Sequence, residues 1–73
     1  MKRTYFLPVG YTMICRVPSM VVDRRAVVVN GKVQGAEIDV DLFLEREPMV
    51  DDDGQTLRIT LPEFGHEYET RFQ

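Results

Sequence analysis

The sequence predicts a small, mainly β protein: an antiparallel sheet or partly open barrel of about five to six short strands, with at most one short helical turn. Three observations carry this reading. Asn30-Gly31 stands between two apolar runs, and both residues accept the positive φ that a tight hairpin turn demands. Residues 37–45 alternate apolar and polar without a break, which is the period of a half-buried strand. The other apolar stretches are short and are ended by Pro8, Pro18, Pro48 and Pro62.

Taken in order, residues 1–10 read as a flexible N-terminal arm on a single domain spanning 1–73. Pro8 pushes its predecessor towards extended geometry and Gly10 permits a bend. Tyr5 or Phe6 either tucks under the sheet or is presented to a partner. Residues 11–17 alternate Tyr11, Met13, Cys15 and Val17 against Thr12, Ile14 and Arg16, a first strand that Pro18 ends. Met20-Val21-Val22 leads through Asp23-Arg24-Arg25 into the hairpin. Strand is favoured there because valine is β-branched, with one helical turn over 21–26 as the competing reading.

Val27–Val29 and Lys32–Gln34 flank the turn, and Gly35 marks a bulge or bend. In the long strand Ile38, Val40, Leu42 and Leu44 face one way and Glu37, Asp39, Asp41, Phe43 and Glu45 the other. Asp51-Asp52-Asp53-Gly54 forms a turn. Leu57, Ile59 and Leu61 alternate in a further strand. The tail over 63–73 fits two periods, and its Tyr, Thr and Phe favour strand.

Composition bounds the function. Seventy-three residues bury a modest core and leave little room for a deep enzymatic cleft. Net charge is −3, unevenly spread: residues 1–36 carry +5 and residues 37–73 carry −8. Such acidity opposes nonspecific nucleic-acid binding and suits a basic partner. Cys15 is the single cysteine, which excludes an internal disulfide and fits a reducing cytosol. It reads as a small buried apolar group. Pro8, Gly10, Thr12 and Arg16 break the resemblance of the first residues to a signal peptide, and no run is long enough to span a membrane.

Catalytic and metal chemistry find little support. The aspartates at 51–53 are consecutive, whereas an EF-hand spaces its ligands at alternate positions. His66 is the sole histidine and Ser19 the sole serine, and nothing in the spacing brings them together. The expectation is a non-enzyme with no cofactor, no metal and no catalytic residue. Surface recognition remains. Asp39, Asp41, Phe43 and Glu45 combine an aromatic anchor with charge, against the alternative of a packed Phe43. Arg24 and Arg25 beside the hairpin add contacts to phosphate or carboxylate. An exposed edge of the hairpin is also suited to recruiting an extended partner segment.

Taken whole, from its start MKRTYFLP through its centre AEIDVDLFLERE, the chain resembles the small transcription regulators of lytic bacteriophages that infect Xanthomonas. That resemblance covers the full length. It implies a monomer in the host bacterial cytoplasm that binds host RNA polymerase near the N-terminal end of the β′ subunit. It further implies interference with σ-dependent initiation and passage of elongating polymerase through terminators. Two alternatives stand beside it: an anti-defence inhibitor from another mobile element, and a small barrel that stacks single-stranded nucleic acid on Tyr5, Phe6, Tyr68 and Phe72.

Overall fold

The computed structural model describes residues 1–64 and 70–72. It is mainly β, as the alternation and turn signals predict. Seven strands are described: β1 (Lys2–Pro8), β2 (Thr12–Arg16), β3 (Ser19–Val29), β4 (Lys32–Leu42), β5 (Met49–Asp52), β6 (Thr56–Thr60) and β7 (Thr70–Phe72). They form two sheets, in the orders β1-β4-β3 and β5-β6-β2-β7. Every pairing is antiparallel except β2 with β6, which run parallel. The one helical element among the described residues is a 3₁₀ turn at Pro62–Phe64. Residues 21–26 are strand.

The hairpin forms where the sequence places it. Asn30 and Gly31 both take positive φ, 51° and 76°, so the turn's twist matches that of the strands it joins. β3 and β4 are each eleven residues long, about 36 Å at the usual rise per residue, against a longest molecular dimension of 41 Å. Two irregularities interrupt their pairing, at Val21/Asp23 and Val27/Val28. At the second, Val27 pairs with Gly35 and Val28 with Val33, which leaves Gln34 as the extra residue beside Gly35.

The segment read as an arm is a strand. Residues Lys2 to Pro8 pair antiparallel with Asp41 to Gly35 and make β4 the centre of its sheet. Alternation in β1 is masked because its inner face carries Arg3 beside Tyr5 and Leu7, while Phe6 lies on the outer face. Arg3 is accommodated by Glu47, whose Oε1 accepts from Nε at 2.8 Å. Burial of Tyr5 against the core pushes its hydroxyl pKa up.

Both sheets feed one buried cluster. Leu7, Ile38, Val40 and Leu42 come from the first, Met13, Cys15, Leu57 and Ile59 from the second, with Val17 and Leu61 at strand ends. The inward set of β4 therefore stands as read from its period. Cys15 is buried, its sulfur 3.4 Å from Ser19 Oγ, consistent with a packing role. The predicted strand continues two residues too far, however. β4 ends at Leu42, and 43–46 form a bend. Leu42 pairs with Ser19, the first residue of β3. Beyond it only Pro18 remains, which lends its carbonyl to the Phe43 N–H (2.9 Å) and has no N–H to return.

Candidate protein-interaction surface

The outer face of the first sheet follows from register, because residues directly opposite one another in antiparallel strands share a face. β4 contributes Glu37, Asp39 and Asp41. Opposite them β1 sets Phe6, Thr4 and Lys2, and β3 sets Arg25, Asp23 and Met20. Arg25 is the organising group. Its guanidinium grips Asp39 through two nitrogens, at 2.8 and 3.0 Å, and reaches Asp23 at 3.1 Å and Glu37 at 3.6 Å. Asp23 and Asp39 stand directly opposite each other, a like-charge pairing that Arg25 bridges. Thr4 donates its hydroxyl to Asp39 at 2.8 Å.

These bonds have an electrostatic consequence. Arg25 and Thr4 hold the Asp39 carboxyl down to about 2, while Asp39 raises the Arg25 guanidinium above its ordinary value. A depressed carboxylate contributes stability at pH above its unfolded value, near 4, and that contribution is lost as pH falls towards 2. The expected result is an Asp39 carboxyl that titrates near pH 2 by NMR and moves back up towards the ordinary range in Arg25→Ala. An unchanged titration in that variant would mean the bidentate pair does not form in solution.

The candidate residues therefore do not form one acidic face. Asp39 is neutralised by Arg25. Asp41 is half-buried beside the Met1 amine, 3.3 Å away. Phe43 and Glu45 lie past the end of β4 in the bend, where both are exposed, and Phe43 keeps 58% of its surface. The bend is tied at its far side by the Arg3–Glu47 pair and by Arg46 with Glu63. Arg24 is separated from Arg25 by strand alternation: it pairs in register with Ile38 and lies on the opposite face.

Two further exposed apolar groups share the outer face. Met20 stands opposite Asp41, near the bend that carries Phe43, and Phe6 stands opposite Glu37 at the other end. Neither signals itself in the sequence, since each sits in a strand whose face is set by a distant partner.

Other candidates resolve as structure. Asp52 accepts the Gly54 N–H at 2.8 Å, and Asp53 accepts those of Gln55 and Thr56 at 2.9 and 2.8 Å. The two amides hold the Asp53 carboxyl below the usual range. This acidic turn is committed to its own backbone, and no metal-holding cluster occurs among the described residues. Ser19 is buried and donates its hydroxyl to the Val17 carbonyl at 2.8 Å. In the stacking alternative, Tyr5 is turned towards the core. His66 and Tyr68 lie outside the described residues, and no side-chain position is described for Phe72.

No helix among the described residues is long and apolar enough to cross a membrane. No protein-family model matches the chain, and neither a curated protein nor a solved structure does. Fold and surface define it as a mainly β protein of two small sheets with a charged and apolar outer face.

Proposed function

We propose that this chain is a non-enzymatic regulator of the lytic-phage kind, acting in the host bacterial cytoplasm. It binds host RNA polymerase near the N-terminal end of β′, hinders σ-dependent initiation and lets elongating polymerase pass terminators. The observation that supports this reading most is the outer face. A fixed ionic cluster around Arg25 is flanked by exposed Phe6 and Met20, with Phe43 at one end. An exposed aromatic beside ordered charge is the composition of an interface hot spot, and a cluster already held in place loses little entropy on docking. The acidic bend, with Glu45 and Glu47, suits a basic protein surface.

Phe43→Ala combined with Asp41→Lys is expected to abolish polymerase binding. Truncating a central aromatic anchor costs 2 kcal/mol or more in about the strongest cases, roughly thirtyfold in affinity, before the charge reversal is added. Phe43 is exposed and lies outside the core, so the fold survives its truncation. Full binding by the double variant would move the interface off this end of the sheet.

A further inference from the structure

The outer edge of β3 is unlike the other edges whose side chains are described. β1 is blunted by Lys2, Arg3 and Pro8, and β5 is four residues long and ends in two aspartates. Short strands, charges and prolines are how edges avoid unwanted pairing. β3 has eleven residues, no proline, and a run from Ala26 to Val29 without a charge. Its only bulge lies at Val22, so Asp23 to Val29 offers seven regular positions. The Arg24 N–H is held by the carboxylate of its neighbour Asp23 at 2.8 Å, a local bond that an incoming backbone carbonyl would replace.

The inner side of this edge is concave. β1 cover ends where Pro8 pairs with Gly35, and beyond it Val28 and Val33 pair with each other and are exposed. Between this ribbon and the β1–β2 turn lies a groove of about 210 Å³, lined by Pro8, Val9, Tyr11, Ala26, Val33 and, as its one charged side chain, Arg24. A strand added to β3 would set alternate side chains on this same face, opposite Arg24, Ala26 and Val28.

We propose that β3 is an augmentation edge for an extended segment of a partner protein, with an acidic side chain opposite Arg24 and apolar side chains opposite Ala26 and Val28. Charge selects this occupant over a second copy of the chain. Arg24 is the midpoint of β3, so full-length self-pairing would set two arginines face to face. A lining with one cation among apolar groups likewise does not track a phosphate backbone. The inference rests on the regulator reading only for the owner of the segment.

The test is titration of the isotope-labelled full chain with a capped heptapeptide alternating threonine with valine, valine and glutamate, followed by amide NMR. Shifts concentrated over residues 23–29 are expected. Exchanging the glutamate for lysine is expected to weaken binding about tenfold, and Arg24→Glu to reverse that preference. Methylating alternate backbone nitrogens of the peptide leaves the protein untouched and is expected to abolish binding. Equal binding of glutamate and lysine peptides, shifts centred on β5, retained binding of the methylated peptide or no binding would each overturn the proposal. So would an oligothymidine that shifts the same amides when the peptide does not. Polymerase capture without peptide binding removes this edge and keeps the regulator reading. Peptide binding without polymerase capture does the reverse.

Discussion

Gly35→Ala is expected to lower stability by on the order of 3 kcal/mol, one of the largest effects of a single methyl group in this protein. A Cβ built at Gly35 falls on the Leu7 carbonyl oxygen and within 2.9 Å of Pro8 Cα and Phe6 Cζ. Two of these three atoms are backbone, in the strand that crosses beside Gly35 at the end of the β1–β4 ladder. Relief requires β1 to move away, which strips hydrogen bonds and opens the cover over Leu7. In a domain of this size 3 kcal/mol corresponds to a fall of roughly 12–24 °C in melting temperature. Adding Phe6→Ala removes the aromatic obstacle and leaves the carbonyl, so most of the loss is expected to persist. Recovery in that double variant would show that the side chain, rather than the backbone approach, demands glycine.

Ile38→Ala is expected to cost about 3–4 kcal/mol. Ile38 is fully buried on the central strand of its sheet, flanked in register by Tyr5 and Arg24, and belongs to the cluster shared with Met13 and Ile59 of the other sheet. Its truncation removes apolar contact from both layers and leaves a cavity between strands that ladders on either side prevent from collapsing. Urea unfolding is expected to show a lower midpoint with an unchanged slope, whereas Val29→Ala, at an exposed position, stays within about 0.5 kcal/mol of the parent. Similar midpoints for the two variants would contradict a core placed between the sheets.

What the sequence makes legible is what local chemistry decides. Asn30-Gly31 specifies its turn, the period of Ile38, Val40 and Leu42 specifies their face, and Asp52 and Asp53 close a turn with their own side chains. The identity of β1 is decided elsewhere. Its partner lies some 35 residues away, and a strand with Arg3 inward and Phe6 outward has no clean period until that partner is known. β5 is exposed along its whole length and exists through its pairing with β6. The parallel pairing of β2 with β6 is closed across the entire β3–β4 hairpin, so no turn residue announces it.

The candidate site divides along the same line. Arg24 and Arg25 are adjacent in sequence and opposite in space, as strand alternation requires. The acidic alternation of β4 is visible in sequence, but its neutralisation by Arg25 depends on cross-strand register. Phe43 looks like the next member of that alternation, and it is exposed for a different reason: the ladder runs out of partners at Pro18.

The central claim is that this protein acts by binding RNA polymerase, and the most direct measurement is affinity capture from host lysate with the tagged full chain. The account predicts retention of polymerase subunits with σ depleted, and loss of that retention in the Phe43→Ala, Asp41→Lys variant. Retention of a defence complex or of nucleic acid alone, with polymerase left in the flow-through, would contradict it.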